Sequence, residues 1–328
     1  DEAEMACNRA LAIDPREPSV LISLGQLYIL TGEEDRAEDN FLRAIEIDDR
    51  AAEAYEGLAR TYEDTNRLGD ARLAYERAIE IQPGYWRAHM AMGSFLFSVG
   101  RSEEALPHMR EAVDLSPNNP RALNSLGSTL IMIGEFESAR DAWYRSLQID
   151  PTPIAYSNLG TVSFLMKNFE QAATMYRRAV ELTPNDFELW GALGDAYRNM
   201  PGREGDADTS YEKAIELAEA YLQVNVDDAY TLAVLAHYLA AVGRFDQAAS
   251  RLTRAKELAP ENMYVHYYAA LIAATGGDTA EAIDASRRAM ENGYPGRFLA
   301  ADSGLQSLAD SEIFRELVTS DTGQRADN

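Results

Sequence analysis

The chain has 328 residues, 46% of them hydrophobic, and a formal net charge of −24. That charge disfavours nucleic acid and anionic membrane surfaces as partners. A single cysteine, Cys7, excludes an internal disulfide framework, and no apolar run approaches the ~20 residues of a membrane span.

The sequence opens inside a pattern. Ala3, Cys7, Ala10 and Pro15 have the spacing of the second half of a unit whose first half is missing. Residues 1–17 are therefore expected to form one helix of a half repeat, with Cys7 at a core position, in a fragment of a longer protein or a processed chain. From residue 18 the whole unit recurs. "LISLGQLY" at 21–28 returns as "YEGLARTY", "HMAMGSFL", "LNSLGSTL", "YSNLGTVS", "WGALGDAY", "LAVLAHYL" and "HYYAALIA". Its small residue falls at Gly25, Ala59, Gly93, Gly127, Gly160, Gly194, Ala236 and Ala270, at intervals of 34, 34, 34, 33, 34, 42 and 34. A second half follows each first. A small residue, an aromatic or bulky one four on and a small one three further appear as Ala37/Phe41/Ala44, Ala71/Tyr75/Ala78, Ala105/Met109/Ala112, Ala139/Trp143/Ser146, Ala172/Tyr176/Ala179, Ala248/Leu252/Ala255 and Ala282/Ser286/Ala289. Five residues later comes Pro83, Pro117, Pro151, Pro184 or Pro260, with Asp49, Val226 and Tyr294 as substitutes. The glycine pair in "LWGALGDAYRNM" (189–200) suggests a phosphate loop. No strand precedes it, however, and a phosphate loop does not recur eight times.

Each unit carries two apolar stripes at helical spacing with a short polar turn between them, such as "GRSE" or "GRFD". One such helix pair cannot bury its own apolar face and needs neighbours on both sides. The tryptophans, tyrosines and methionines of the pattern read as core, and the small residues let the second helix come close. Over residues 1–294 the pattern resembles the tetratricopeptide repeat (TPR) family. The resemblance implies an all-α fold, a right-handed α-solenoid of antiparallel helix pairs, serving as a protein–protein interaction scaffold. Repeats one to five span 18–186, repeat six 187–228 and repeats seven and eight 229–294.

Repeat six is eight residues too long. "MPGREGDADTSYEKAIELAEAYLQVNVDD" holds an enlarged turn at Pro201, Gly202 and Gly205. A helical stripe (Ala207, Tyr211, Ala214, Ala218, Tyr221, Leu222) then continues to about Val224, which predicts a long second helix with about two added turns. "DADTS" lacks the central glycine and closing glutamate of a calcium loop. After repeat eight, Leu305, Leu308, Ile313, Phe314 and Leu317 predict short capping helices over 295–320, and residues 321–328 read as disordered. The Gly-Tyr-Pro start and spaced Asp and Leu of this tail resemble the ends of TPR regions in some bacterial protein kinases and cyclases. The alternative function is accordingly a regulatory module of a larger bacterial signalling enzyme. Lysine occurs only at Lys167, Lys213 and Lys256, every other base being arginine, a bias that also points to a bacterial source.

No metal-ligand spacing and no catalytic motif set is present. No catalytic residue, metal or cofactor is expected, and the reading is that of a non-enzyme. His89 and His266 occupy core positions; His237 lies on a first helix and faces the groove. In the TPR family the groove is lined mainly by the second, fifth, ninth, twelfth and thirteenth residues of each unit. Carried over, this gives Arg87, Met90, Ser94, Phe97 and Ser98 in repeat three. Repeat four gives Arg121, Asn124, Ser128, Ile131 and Met132, and repeat five Ile154, Ser157, Thr161, Phe164 and Leu165. None is acidic, although the chain holds 54 acids. Repeat eight adds Tyr264 and Tyr267. Repeat two gives Arg60 with an acidic rung, Glu53, Glu56, Glu63 and Asp64. The lysines with which chaperone-binding members clamp a terminal carboxylate are absent. The expected partner is a protein or peptide segment, with a basic flank drawn to the acidic rung. Localisation is not legible, a cytoplasmic site being favoured, and neither is the oligomeric state.

Overall fold

In the computed structural model, which describes residues 2–319, the described residues contain nineteen α-helices, one 3-10 helix and no strand. A lone helix, Glu2–Ile13, is followed by eight helix pairs. The first helices are Pro18–Thr31, Ala52–Asp64, Trp86–Ser98, Pro120–Met132, Pro153–Leu165, Phe187–Arg198, Ala229–Ala241 and Met263–Thr275. Their partners are Glu34–Ile47, Leu68–Ile81, Ser102–Leu115, Phe136–Ile149, Phe169–Leu182, Glu204–Leu222, Phe245–Leu258 and Thr279–Glu291. The helices form two compact units, divided between Ile149 and Asp150. The first holds the lone helix and repeats one to four; the second holds repeats five to eight and the C-terminal segments.

Punctuation is local. The first helices of repeats four to eight begin on side chains that accept from the free N–H groups of the opening turn: Asn119, Thr152, Asp186, Asp228 and Asn262. Each follows the loop residue that ends the preceding repeat. Between the two helices of a pair the chain needs one residue in the left-handed region. Glycine takes that place at Gly243 (φ 80°), but Lys167 holds it at φ 60°.

Where the small residue of the first helix is glycine, a ring or thioether of the second helix lies against it; in repeats seven and eight, with Ala236 and Ala270, the bulky position holds Leu252 and Ser286. A Cβ added to Gly25 would sit 2.6 Å from Phe41, one on Gly127 2.5 Å from Trp143, one on Gly160 2.7 Å from Tyr176 and one on Gly194 2.8 Å from Tyr211. No side chain fits in that space. Ala37, Phe41, Ala44, Ala71, Ala78, Ala105 and Ala112 are at most 1% exposed, so the two small residues flanking each bulky one let the backbones approach there too. Ion pairs such as Arg67–Glu38 (2.9 Å) and Arg254–Asp227 (2.7 Å) link successive repeats on the exposed face; exposed pairs of this kind contribute about 0–1 kcal/mol.

The excess in repeat six is spread along the unit. The second helix has 19 residues against 14 in repeats one to five and seven. The turn before it and the loop after it are each two residues longer, and the first helix is one shorter. The added helix therefore amounts to five residues, about one and a half turns, not two. Ala207, Tyr211, Ala214, Ile215, Ala218 and Leu222 form its buried stripe. Tyr221 is 43% exposed and touches the Phe187 ring at 5.8 Å between centroids.

Two expectations need correction. Cys7 is only half-buried; among the described residues no helix precedes its own. The C-terminal segments are Gly296–Ala301, the 3-10 helix Ser303–Leu308 and Glu312–Thr319. They bury Leu299, Leu305, Leu308 and Phe314, but Ile313 is 58% exposed, adjacent to Phe314 on the other side of a one-turn stripe. The tail expected to be disordered, 321–328, lies outside the described residues.

Two measurements follow from this packing. Gly194→Leu should lose about 1–3 kcal/mol of stability in denaturant unfolding, from overpacking against Tyr211; an unchanged midpoint would show that the helices are not in contact there. Lys167 Nζ donates to Gln306 Oε1 at 2.6 Å. Lys167→Gly should relieve about 1–2 kcal/mol of left-handed strain while removing an exposed hydrogen bond worth less. The thermal midpoint should not fall, yet the amides of Leu305 and Leu308 should exchange faster with solvent. A lowered midpoint would show that the tether outweighs the strain.

Candidate functional site

On the first unit the expected groove residues are all at least partly accessible. Arg87, Ser94 and Arg121 are exposed; Met90, Phe97, Asn124, Ser128 and Ile131 are half-buried. Phe97 packs against the cluster around Met92 and Phe95, so part of its ring already belongs to the core. The Asn124 Oδ1 atom is buried without a hydrogen-bond partner. The acidic rung divides in two. Glu53 and Asp64 are exposed. Glu56 accepts from the Tyr85 hydroxyl at 3.3 Å, and Glu63 from the Tyr75 hydroxyl. Burial raises the pKa of both carboxyls, against the pull of Arg60 and these hydrogen bonds.

On the second unit, Ser157 and Phe164 are half-buried and Thr161 exposed, with the Thr161 hydroxyl accepting from Tyr176 at 3.1 Å. Phe164 meets the edge of Phe169 at 5.4 Å. Tyr264 is 40% exposed, while Tyr267 is stacked on Tyr294 at 4.6 Å. His89 and His266 are buried as expected. Each uses Nε2 on the carbonyl of the proline six residues back, Pro83 at 2.9 Å and Pro260 at 2.6 Å; Trp190 does the same to Pro184 at 2.8 Å and so stays only half-buried.

The second unit also closes around a cavity of about 140 Å³. First helices supply Phe164, Asp195, Arg198, His237, Ala241, Tyr267, Leu271 and Thr275, and Asn199 caps the first helix of repeat six; Tyr211 comes from the long second helix and Asp302, Ser303 and Gly304 from the C-terminal segment. Asp195 and His237 occupy the ninth position of repeats six and seven. Asp195 Oδ1 accepts from the Tyr211 hydroxyl at 2.7 Å and pairs with His237 Nε2 at 3.1 Å. Asp302 is 9% exposed; it accepts from the Tyr267 hydroxyl at 2.6 Å and from the Gly304 amide at 2.8 Å. Arg198 is turned to the rim, held by Asp208 at 2.7 Å and the Ala241 carbonyl at 3.0 Å. The His237 Nδ1 and Ser303 Oγ atoms are buried without a partner.

The charges in this cavity interact. Burial opposes protonation of His237, but the charge and hydrogen bond of Asp195, joined by Asp302, outweigh it and raise its pKa. Burial raises the pKa of Asp302, and the neighbouring Asp195 charge adds to this against its two hydrogen bonds. Burial likewise lifts the Tyr211 and Tyr267 hydroxyls well above their usual range, so both remain donors. Ser303 Oγ and His237 Nδ1 make no hydrogen bond to each other. The described residues contain no cluster of potential metal ligands. A larger cavity, lined by Glu219, Leu222, Gln223, Leu235 and Arg251 at the end of the long helix, gathers no comparable set of groups. No described helix is long and apolar enough to cross a membrane.

Comparisons with known proteins agree with the fold. The family described as the Cilia and flagella-associated protein 70 middle TPR-like domain matches residues 55–219, and the Tetratricopeptide repeat family matches 22–85 and 233–295. The chain belongs to the tetratricopeptide repeat family, and its fold is an all-α solenoid. Similar solved structures include PilF of Pseudomonas aeruginosa, 23% identical with a TM-score of 0.52 over 67% of this chain and 97% of that one. The Cut9–Hcn1 assembly of the APC/C is 16% identical with a TM-score of 0.52, over 98% of this chain and 60% of that one. YrrB, a TPR protein described as having an unusual peptide-binding site, is 25% identical with a TM-score of 0.47, over 57% and 96%. No curated protein matched. Neither family match extends past residue 295, so the likeness of residues 295–320 to kinase and cyclase tails rests on the sequence alone.

The Asp195–His237 pair makes a pH-dependent prediction. Because the folded-state pKa of His237 is raised, the pair's contribution is complete below the ordinary histidine value of about 6.5. It fades as pH rises through the higher value of the folded protein. Asp195→Asn should leave Asp302 alone to oppose burial and bring the His237 titration, followed by NMR of its ring protons, below that of the unaltered chain. An unmoved titration would show that Asp195 does not set it.

Proposed function

We propose that this tetratricopeptide array is a non-enzymatic protein–protein interaction scaffold, and that the first-helix faces of its units hold an extended or helical segment of a partner. Repeat arrays of this kind present extended concave surfaces for binding. The observation that carries the reading is the composition of those faces. In a chain of −24 net charge, the groove positions of repeats three and four on one unit, and of repeat five on the other, hold no acid. They alternate half-exposed apolar side chains (Met90, Phe97, Ile131, Phe164) with hydrogen-bonding ones (Asn124, Ser128, Ser157, Thr161). A few apolar anchors and polar groups that fix register are what segment recognition requires. Glu53 and Asp64, exposed beside the first of these faces, would attract a basic flank and mainly raise its rate of association.

Selection of random displayed peptides on the whole chain supplies the test. Selected segments should lose about 1–3 kcal/mol of affinity when Phe97 and Asn124, or Phe164, are replaced by alanine, with little salt dependence. Glu53→Gln with Asp64→Gln should cost less, and that loss should disappear at high salt. Peptides indifferent to the first set and abolished by the second would place binding on acidic surface and overturn the groove assignment.

A further inference from the structure

We infer that the cavity of the second unit takes the cationic head group of one lysine or arginine side chain, supplied by the bound partner segment. The inference rests on the scaffold reading and gives one anchor of that segment a chemistry.

Two carboxylates face one partly enclosed space. Asp302 is almost fully buried and Asp195 lies within Coulombic range of it. Their hydrogen bonds within the chain come from neutral donors, Tyr211, Tyr267 and the Gly304 amide, apart from His237. The nearest permanent cation, Arg198, is committed to Asp208 and a carbonyl and lies over the outer face of Tyr211. The cavity thus keeps an excess of negative charge in a medium where an uncompensated charge is costly. An entering anion would meet two carboxylates, whereas an ammonium or guanidinium would compensate them.

An independent observation also points to a donor ligand. His237 is 8% exposed and lines the cavity. Its Nε2 is used on Asp195 and its Nδ1 has no partner. In the neutral ring, with the proton on Nε2, Nδ1 is a bare acceptor; a bound cation, offsetting the Asp195 and Asp302 charges that raise the His237 pKa, favours that neutral ring, and Ser303 Oγ is a second unsatisfied group. A guanidinium brings five N–H donors and an ammonium three, enough to satisfy Nδ1, Ser303 and a carboxylate together. Size agrees. About 140 Å³ is the share of about four or five waters, the scale of one side-chain end and far below a drug-sized ligand. The Phe164 ring forms an aromatic wall on which such a head group can rest.

The probes are N-acetyl-arginine amide, N-acetyl-lysine amide and, as an uncharged isostere, N-acetyl-citrulline amide. Each is titrated into the whole chain while the His237 ring signals are followed by NMR. The arginine or lysine probe should shift those signals saturably and the citrulline probe should not. Asp195→Asn should weaken the effect roughly tenfold. Because that change also alters His237, Thr275→Lys provides a second variant: it tethers an ammonium at the cavity wall and should abolish the shift with unchanged circular dichroism. Equal responses to arginine and citrulline, or an arginine response that survives Thr275→Lys, would overturn the inference. Displayed peptides that bind the groove without enriched lysine or arginine, and that tolerate both variants, would overturn it while leaving the scaffold reading intact. Arginine binding at His237 with no displayed peptide selected would instead overturn the scaffold reading.

Discussion

At Gly127 the indole of Trp143 lies where a methyl group would be, and the phenol of Tyr176 takes the same place at Gly160. In repeats one, four, five and six a helix backbone bare of side chain lies against a ring from its partner. That contact sets the separation of each pair, and the separation sets how the next pair can stack. The array depends on it because no pair has an interior of its own. A clash introduced there is passed to neighbours on both sides, since close-packed interiors transmit strain rather than absorb it.

The same contact reaches the binding face. Where the bulky residue of the second helix is a tyrosine, its ring passes beneath the small residue and its hydroxyl emerges among the first-helix groove positions. Tyr75 thereby donates to Glu63, Tyr176 to Thr161 and Tyr211 to Asp195. Phe41, Met109 and Trp143 fill the same slot in other repeats without delivering a hydroxyl. Choice of the core side chain therefore decides which groove polar groups are held from below. In repeat six it holds the carboxylate that pairs with His237. Packing and recognition are coupled there through one residue, so enlarging Gly194 would displace Asp195 as well as loosen the helix pair.

The repeat was legible because its signal is periodic. A small residue about every 34 positions, with a bulky residue sixteen or seventeen on in seven of the eight repeats, has no other simple physical reading. Even the division between units has a trace, since it falls where the interval from Gly127 to Gly160 is one residue short. The long helix was legible from its stripe, but its length was not. Helical spacing cannot tell which of eight added residues go to the turn and the exit loop. The cavity was only half legible. The groove-position rule, extended to repeats six and seven, reaches Asp195 and His237 at once. Nothing in the sequence brings Asp302 to them, because that depends on how the C-terminal segment folds back. Glu56 and Glu63 were read as a free acidic surface because tyrosines two or more turns away gave no sign of bonding to them.

The C-terminal segment does more than cover apolar surface. Leu299, Leu305, Leu308 and Phe314 supply its apolar contacts. Those contacts do not call for a buried aspartate, nor for a lysine in a backbone conformation that glycine adopts at Gly243. Both features cost stability: Asp302 loses its hydration, and Lys167 pays left-handed strain. Each instead fixes the segment's place against the first helices, Asp302 through Tyr267 and Lys167 through Gln306. The terminus is thus held by polar bonds at the mouth of a cavity to which it contributes a wall. Polar tethers of this sort add little to folding free energy but are directional. They hold Asp302 facing Asp195 and His237, an arrangement that apolar capping alone would not select.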